Sequence, residues 1–332
     1  MGHHMEIGKV PNEVLEELVI SQLSHRRPEV VQGSGVGEDC AVVDFGDALC
    51  VVSTDPITGA TSDIGRLIVN VASNDIASAG AEPVAMTLTV LAPPTSTEEE
   101  LREVVRQANE AARSIDVQIV GGHTEVTDVV TRMLVSATVL GRQARDRVVY
   151  TGGAAVGDAL VMTKHAGIEG ASILAMDRTD ELARVLGQEG LETARTYADD
   201  LSVVSEGRIG GQVGVSGMHD ATEGGVLGAT WEMADACGHG IEVELAAIPV
   251  SDVTKAVCAH FEIDPYRLVS SGVMLITVAS DRLGTLLTRL AEEGVPAAQI
   301  GWVVDGPSRV LTAAGPQPLE PPEADELYRV GA

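Results

Sequence analysis

Three aspartates have neighbours that suit them to bind a metal ion. Asp39 ends a glycine-rich loop, Asp55 ends a strand-like apolar segment, and Asp75 interrupts the apolar pattern of a helix. Carboxylate oxygens are the ligands that Mg²⁺ prefers, and Mg²⁺ keeps coordination positions for water and phosphate, as a nucleoside triphosphate requires. We therefore predict that Asp39, Asp55 and Asp75 hold Mg-ATP. Taken singly, the three also fit simpler interpretations: a solvated turn, a turn start and an exposed helix face.

Several residues beside these acids are candidates for contacts with the nucleotide. Glycines at alternate positions of the loop Gly33–Asp39 allow backbone N–H groups to approach a ligand, and the pair Gly121-Gly122 ends a predicted strand before a polar run. The sequence has no GxxxxGK[ST] motif, so these glycines are weak support for a P-loop. The candidate cofactor-binding residues are Gly35, Gly37, Thr54, Asn74, His123, Thr124 and Glu125.

Three residues in the second half of the chain are candidate catalytic residues. The run that begins with His219 and Asp220 places an acid, a hydroxyl and two glycines directly before a helix, whose N-terminus attracts anions. Lys164 is one of three lysines and follows a predicted strand. Two alternatives stay open: the loop is also typical of an N-capping turn with Thr222 as the cap, and Lys164 of a surface lysine.

The charge balance of the chain excludes several classes of partner. Its 332 residues include 22 Lys+Arg and 49 Asp+Glu, a formal net charge of −27. This charge repels nucleic-acid backbones and anionic membranes, and 2 Trp, 4 Tyr and 2 Phe are too few for a base-stacking platform. The 4 cysteines are scattered, and no apolar run has the length of a membrane span. We therefore expect a cytoplasmic protein without nucleic-acid or membrane partners.

Hydrophobic periodicity predicts an α/β (α+β) protein of two domains, with a boundary near residues 143–157. In the first half, we predict helices at Pro11–His25, Asp63–Ala79 and Thr97–Ile115, and strands at Cys40–Phe45, Ala48–Ser53, Pro83–Leu91, Val117–Gly121 and Arg132–Gly141. In the second half, we predict strands at 158–163, 213–216, 240–245, 272–278 and 297–304, helices at 168–177, 180–187, 191–205, 226–237, 251–260 and 281–293, and an extended arm at 315–322.

The predicted strands of the first half carry more apolar surface than its helices can cover. Apolar residues alternate in the segments 41–45, 49–53, 85–91 and 133–140. Uncovered strands are an aggregation hazard, and joining two sheets across a twofold axis removes both the exposed faces and the edges. We therefore predict a homodimer formed by the first half, with the Gly33–Asp39 loop near the interface.

Motifs in both halves resemble those of the aminoimidazole ribonucleotide (AIR) synthase superfamily, also called PurM-like, over nearly the whole chain. Within this superfamily they are most similar to the hydrogenase-maturation, HypE-like branch, and next to the thiamine-monophosphate kinases. The motifs of the first half are Gly37–Val42, Ser53-Thr54-Asp55, Asp63-Ile64-Gly65, Asn74–Pro83 and Gly121–Val126. Those of the second half are Gly157-Asp158, Ala166–Gly170, His219–Gly225 and Ser270-Ser271-Gly272.

The resemblance implies a two-domain PurM-like fold, with an N-terminal ATP-binding domain at 6–145 and a C-terminal α/β domain at 150–332. It implies a homodimer in which the N-terminal sheets join into a β-barrel, with Mg-ATP bound near that interface. The metal-phosphate acids of the family correspond to Asp39, Asp55 and Asp75, with Asn74 beside them. Members use ATP to phosphorylate a substrate or to activate a carbonyl or amide oxygen. We therefore expect an ATP-dependent enzyme of the AIR-synthase-related or HypE-like type, acting on an unidentified substrate.

The sequence departs from the family pattern at two places. His123 stands where an acid is usual, so either one metal ion is lost or Glu125 compensates. The HypE-like proteins end in a cysteine-bearing tail, whereas the last cysteine here is Cys258; we therefore expect the acceptor to be a separate small molecule or another protein. Two alternatives stay open: a small-molecule kinase of the thiamine-phosphate type, and a nucleotide-binding dimer without catalysis, which His123 favours.

Overall fold

The first part of the chain forms a six-stranded sheet. The computed structural model describes residues 30–32, 40–57, 63–322 and 324–330. The predicted helix Pro11–His25 and the loop residues Gly35, Gly37 and Asp39 lie outside these ranges. The strands of the first sheet are β1 (Val30–Gln32), β2 (Ala41–Asp44), β3 (Leu49–Ile57), β4 (Glu82–Ala92), β5 (Gln118–Val126) and β6 (Leu134–Gln143).

The strand order of this sheet is β1-β2-β3-β6-β4-β5, and neighbouring strands are antiparallel except for the parallel pair β4–β5. The predicted hairpin of β2 and β3 is confirmed. β1 and β5 are the two edges of the sheet, so among the described residues it does not close into a barrel. β5 continues five residues beyond its predicted end, so His123 and Glu125 lie within the strand and not after it.

Two helices cover one face of the first sheet: α1 (Ile64–Ser78) and α2 (Glu98–Ser114). α1 is buried on nearly every side, because the sheet, α2 and the second domain all pack against it. α2 begins after Thr97, whose Oγ1 accepts a hydrogen bond from the Glu100 N–H, while the Glu100 carboxylate accepts one from the Thr97 N–H. This reciprocal capping fixes the start of the helix.

The second domain is built on a seven-stranded sheet with the order β13-β12-β9-β11-β7-β10-β8. Its strands are β7 (Ala159–Thr163), β8 (Gly217–Ala221), β9 (Gly240–Glu244), β10 (Val273–Val278), β11 (Ala297–Val304), β12 (Arg309–Thr312) and β13 (Gly315–Pro318). Its helices are α3 (Ile168–Asp177), α4 (Thr179–Thr196), α5 (Val204–Val213), α6 (Gly225–Cys237), α7 (Asp252–Phe261), α8 (Leu283–Glu292) and α9 (Glu326–Arg329). Across the described ranges, none of the helices combines the length and the apolar character that a membrane crossing requires.

Two predicted elements of the second domain, the strand 213–216 and the helix 191–205, are wrong. The segment 213–216 is not a strand: Gly214 ends α5 with a left-handed φ of 74°, and the strand starts only at Gly217. His219 and Asp220 therefore lie in β8 and not in a loop. The helix predicted at 191–205 ends at Thr196 and is followed by the short 3₁₀ turn Tyr197–Asp200. The predicted extended arm begins as β13, which pairs with β12 as an edge hairpin that tolerates proline.

Buried hydrogen bonds join α1 to the second domain. The Asn74 side chain is fully buried, and its Nδ2 donates to the Leu201 carbonyl at 2.7 Å while its Oδ1 accepts from the Val203 N–H at 2.8 Å. One turn later, Ser78 Oγ donates to Asp220 Oδ1 at 3.0 Å. Because both sets of bonds cross from one domain to the other, they fix the position of α1 against the second sheet.

We expect Asn74→Ala to lower the free energy of unfolding by about 2–4 kcal/mol, because it leaves a buried carbonyl and a buried N–H without partners. Urea unfolding of the nucleotide-free protein measures this change. Asn109→Ala is the matched control, since Asn109 lies on the exposed face of α2 and its truncation should change stability by less than about 0.5 kcal/mol. Equal stability of the two variants would contradict the assignment of Asn74 as a link between the domains.

Candidate active site

Two of the three predicted metal-binding acids share one face of the first domain. Ser53 and Asp55 lie two residues apart on β3, so their side chains point to the same side of the sheet. The Ser53 hydroxyl donates to Asp75 Oδ2, which comes from α1 on that side. Cys40, which follows the predicted ligand Asp39 in the sequence, donates from its Sγ to the Asp75 carbonyl at 2.9 Å. The structure therefore places Asp55 and Asp75 on the same side of β3.

This site has the donor atoms that a magnesium ion requires. Asp55 Oδ2 is buried and has no hydrogen-bond partner among the described residues. A buried carboxylate oxygen without a partner is costly unless a ligand binds it. Within the described ranges, no group of three or more His, Cys, Asp or Glu side chains forms a complete metal site. Mg²⁺ is commonly held by one or two protein carboxylates together with substrate phosphates, so the pair fits that ion.

The candidate cofactor-binding residues do not all lie at this site. Asn74 is adjacent to Asp75 in α1, but both ends of its amide are used in the bonds to the second domain. Thr54 points to the opposite face of β3, where its Oγ1 donates to the Ala137 carbonyl at 2.9 Å and lies 3.0 Å from Thr138 Oγ1. A nucleotide contact from Thr54 would therefore be made on the other side of the sheet.

His123, Thr124 and Glu125 lie on the edge strand β5. Three strand spacings separate β5 from β3 in the sheet, about 14 Å, so within one chain these residues are not beside Asp55. His123 Nε2 lies 3.2 Å from Glu125 Oε2, and both side chains are exposed. The preceding Gly122 has a φ of 148°, and a Cβ there would lie 1.8 Å from the Leu88 carbonyl oxygen of β4. Close pairing of β5 with β4 therefore requires glycine at this position.

Lys164 holds together three segments of the second domain. Its Nζ donates to the carbonyl oxygens of Ser202 at 2.7 Å and Gly272 at 2.8 Å, and lies 2.7 Å from Glu206 Oε1. The Glu206 side chain is almost completely buried, so the lysine supplies the charge that a buried carboxylate needs. Lys164 thus positions the segment that contains Leu201 and Val203, which Asn74 contacts from the first domain.

His219 and Asp220 point to opposite sides of β8. His219 Nε2 lies 3.0 Å from Glu232 Oε2 of α6, and both side chains are buried. Asp220 lies against α1 through its hydrogen bond with Ser78, whose hydroxyl is also 3.1 Å from the Asn74 carbonyl oxygen. Asp220 therefore contacts α1 directly, one turn after Asn74.

A cleft between α1 and α3 contains a functional group that the sequence analysis did not select. This α1–α3 cleft, bounded by Arg66, Leu67, Glu169, Met176 and Leu201, holds about 390 Å³ of space, part of it open to solvent. Most of its wall is apolar, and Glu169 is the buried acid in it. Glu169 lies in a small-residue motif beside Lys164, and an acid at the start of an otherwise apolar helix was the available signal.

Burial controls the ionisation of Glu169. Removal of the carboxyl from water raises its pKa to about 7, and the negative charges of Asp325 and Glu223 add to this rise, while hydrogen bonds from Ser271 oppose it. The Ser271 N–H donates to Glu169 Oε2 at 3.1 Å. Near neutral pH, Glu169 is therefore present both as the protonated acid, which can donate a hydrogen bond, and as the carboxylate, which can accept a proton.

The N-terminus of α6 carries a carboxylate from the chain itself. Asp325 Oδ2 accepts from the N–H of Gly224, the residue that caps α6, at 2.7 Å, and its Oδ1 accepts from the N–H groups of Val269 and Leu327 at 3.2 and 2.9 Å. Burial raises the pKa of Asp325 to about 6, and these three hydrogen bonds lower it. The anion-attracting helix end predicted from the sequence therefore exists, with Asp325 bound to it.

Together, these observations define a two-domain α/β protein. Its helix α1 is hydrogen-bonded to the second domain through Asn74 and carries Asp75 to the side of β3 on which Asp55 lies. Residues 37–143 match the N-terminal domain of the AIR synthase related proteins, and residues 155–313 match the C-terminal domain. The chain therefore belongs to the AIR synthase-related family, as its motifs predicted.

Two curated relatives match almost the whole chain. A protein of Methanocaldococcus jannaschii, named as a hydrogenase expression/formation protein, is 27% identical over 340 residues, which cover 97% of both chains. The carbamoyl dehydratase HypE of Escherichia coli is 29% identical over 288 residues, which cover 83% of this chain and 81% of the relative.

Solved structures of the same fold include nucleotide complexes. A HypE–HypF complex contains a chain that matches with a TM-score of 0.78 at 22% identity, covering 93% of this chain and 99% of that one. HypE in complex with ATP matches with a TM-score of 0.74 at 23% identity, covering 97% of each chain. A further chain, AaThiL with AMPPCP and TMP, matches with a TM-score of 0.74 at 18% identity, covering 92% of this chain and 96% of that one.

The ionisation of Glu169 should be visible in the pH dependence of stability. Its folded-state pKa of about 7 lies above the ordinary value of 4.5, so the folded state binds the proton more tightly than the unfolded chain. The stabilisation by this group is fully present below pH 4.5 and is lost as the pH rises through 7, a change of up to about 3 kcal/mol. Glu169→Gln should therefore be more stable than the parent at pH 8, but not at pH 4.5.

Urea unfolding of both proteins between pH 4.5 and pH 8 measures this difference. Glu192→Gln is the control, because Glu192 is exposed on α4 and its neutralisation should leave the pH dependence of the parent unchanged. A constant stability difference between parent and Glu169→Gln across the range would contradict the raised pKa.

Proposed function

We propose that this protein is an ATP-dependent enzyme that activates a carbonyl or amide oxygen of its substrate by phosphorylation. The observation that carries the proposal is the pairing of Asp55 and Asp75 on one face, where a buried carboxylate oxygen lacks a partner among the described residues. The names of two relatives, a carbamoyl dehydratase and a HypE in complex with ATP, support a substrate with a carbamoyl group.

In this proposal the first domain, residues 6–145, binds ATP and the second domain, residues 150–332, forms the opposite wall. Asp55 and Asp75, with Asp39 from the preceding loop, would hold Mg²⁺, which supplies charge neutralisation to the phosphates when bound. The nucleotide contacts assigned to Gly35, Gly37, Thr54, Asn74, His123, Thr124 and Glu125 remain proposals, as do the catalytic roles of Lys164, His219 and Asp220. The 4 free cysteines support a reducing, cytoplasmic environment.

The contacts of the predicted catalytic residues suggest how each would act. Asp220 faces α1 beside the Asn74-Asp75 turn, so it is the one that could approach a phosphorylated intermediate. Lys164 is paired with Glu206 and His219 with Glu232. We propose that these two pairs hold in place the part of the second domain that faces ATP. Phosphorylation turns the substrate oxygen into a good leaving group, so loss of phosphate can complete a dehydration in water.

The homodimer is a further part of the proposal. β5 is an exposed edge strand in one chain, with Val120 54% and Val126 66% exposed. Edges of this kind are usually covered by a partner. Joining two first-domain sheets into a barrel would cover β5 and bring His123 and Glu125 near a second chain. A protein partner is also proposed as a carrier of the acceptor group, because one similar HypE chain occurs in a complex with HypF.

The function predicts Mg²⁺-dependent ATP binding and turnover of a carbamoyl compound. We expect ATP to raise the melting temperature with Mg²⁺ but not in EDTA. We further expect S-ethyl thiocarbamate with Mg-ATP to give ADP, phosphate and ethyl thiocyanate. Asp75→Asn should weaken Mg-ATP binding on the order of tenfold or more, because a charged ligand to the metal is lost. Thermal-shift titration and ADP quantification by chromatography measure these effects.

Asp47→Asn is the control for this experiment, because Asp47 lies in the exposed β2–β3 turn and should leave nucleotide binding unchanged. Equal stabilisation by ATP with and without Mg²⁺ would argue against the metal-bridged site. Formation of a phosphorylated small molecule without loss of phosphate would favour the thiamine-phosphate type of kinase. Nucleotide binding with no turnover of any carbamoyl or phosphate-acceptor compound would favour a non-catalytic dimer.

The homodimer predicts how each half of the chain behaves alone. Light scattering of the full chain at micromolar concentration should give the mass of two chains. Residues 1–145 should dimerise, whereas residues 150–332 should be monomeric, because the exposed edge strand belongs to the first domain. A monomeric full chain would contradict the dimer and the shared nucleotide site.

A further inference from the structure

We propose that the α1–α3 cleft binds the carbamoyl or amide end of the substrate, and that Glu169 accepts the proton that leaves its nitrogen. This assignment rests on the proposed function and deepens it, since it names the substrate pocket and the base.

The position of the cleft supports this assignment. Its wall includes Leu201, whose carbonyl oxygen accepts the 2.7 Å hydrogen bond from Asn74 Nδ2. Asn74 precedes the predicted metal ligand Asp75 in α1. The cleft lies against the first turn of α1, and Leu201 links its wall to Asn74 and Asp75, two turns further along the same helix.

The wall of the cleft suits a small neutral group with N–H donors. Leu67, Ile173, Met176 and Leu201 make most of it apolar, which limits water and strengthens any hydrogen bond formed inside. Arg66, the cation of this wall, is paired through Nη1 with Asp199, which offsets part of its charge. A primary amide or carbamoyl end fits these conditions, because its N–H groups can donate to a carboxylate.

Glu169 is held in a position to receive such a donor. It is 5% exposed, its Oε2 accepts from the Ser271 N–H at 3.1 Å, and Gly272, the next residue, accepts from Lys164. The charged and titratable groups around it are Asp325, Glu223 and Tyr328 on one side, Asp63 and Arg66 from α1 and the residue before it, and Asp177 at the end of α3 itself. A carboxyl kept in an apolar wall among other acids is costly to ionise, and such groups are concentrated at functional sites.

The chemical step balances with ATP as the only co-reactant. The amide oxygen attacks the γ-phosphorus, a new P–O bond forms, and the bond to the ADP oxygen breaks with its electron pair leaving on ADP. The nitrogen becomes positively charged, and one N–H proton passes to the Glu169 carboxylate. The C–O bond then breaks, phosphate leaves with the electron pair, and the second N–H proton ends on phosphate as the C≡N bond forms. Glu169 returns its proton to solvent or phosphate.

Four proteins test the assignment: the parent, Glu169→Gln, Glu169→Asp and the exposed control Glu192→Gln. With S-ethyl thiocarbamate and Mg-ATP, the parent rate should rise with pH through a midpoint near 7 as Glu169 ionises. In Glu169→Gln, the probe-dependent rate should fall at least about 100-fold and should no longer rise with pH around 7. The affinity of this variant for Mg-ATP should stay within about threefold of that of the parent. Glu169→Asp should recover part of the rate. A probe-dependent rate of Glu169→Gln within threefold of the parent would overturn the proposal.

A binding measurement separates failure of this inference from failure of the proposed function. Calorimetric titration of the probe at pH 7, in two buffers of different ionisation enthalpy, should show proton exchange on binding to the parent and none with Glu169→Gln. If the parent shows this exchange but no turnover, the assignment of the cleft is supported and the proposed reaction is not. If the probe binds both proteins equally without proton exchange, the cleft assignment is overturned.

Discussion

The burial of α1 between two sheets is the constraint on which the rest of the structure depends. A helix with polar residues on several sides can be enclosed in this way only if each polar group finds a partner. Asn74 finds its partners in the backbone of the second domain, Ser78 in Asp220, and Asp75 in Ser53 of the first sheet. The buried polar side chains of α1 are therefore all paired only when the two domains are joined, although Asp75 takes its partners from the first domain.

The buried charges follow from the same constraint. Glu206 and Lys164 neutralise each other beneath the segment that Asn74 contacts, and His219 and Glu232 form a second buried pair behind β8. Asp55 and Glu169 are different, because neither carboxylate forms an ion pair within the described ranges. Near neutral pH a bound proton and the hydrogen bonds from Ser271 compensate Glu169, whereas the buried Oδ2 of Asp55 has no partner among the described residues and suits a ligand.

The sequence was a good guide where local pattern determines structure. The helices α1 and α2 and the β2–β3 hairpin were all predicted, because each depends on neighbours within a few residues. β5 was predicted too short, since Gly121–Glu125 has no alternation of apolar residues and is held in the strand by pairing with β4. β8 was misplaced for a similar reason: the partners that stabilise its polar residues His219 and Asp220 are distant in the sequence.

The residues of the candidate site were likewise predictable only where local sequence determines them. Asp55 and Asp75 were recognisable from their small neighbours and from family motifs, and the structure brings them together. The double use of the Asn74 amide was not recognisable, because its partners are 127 and 129 residues away. Glu169 was overlooked because a single acid in a glycine-rich motif has no local signature of burial. Its environment arises only when α3, Ser271 and the first domain are packed together.

The carboxylate of Asp325 at the N-terminus of α6 has a consequence for competition between anions. Because it is attached to the chain, its effective concentration at Gly224 is on the order of millimolar or higher. A dissolved phosphate would have to displace this tethered group before it could use the positive end of the helix dipole. The second domain therefore presents this helix end with an anion already bound to it.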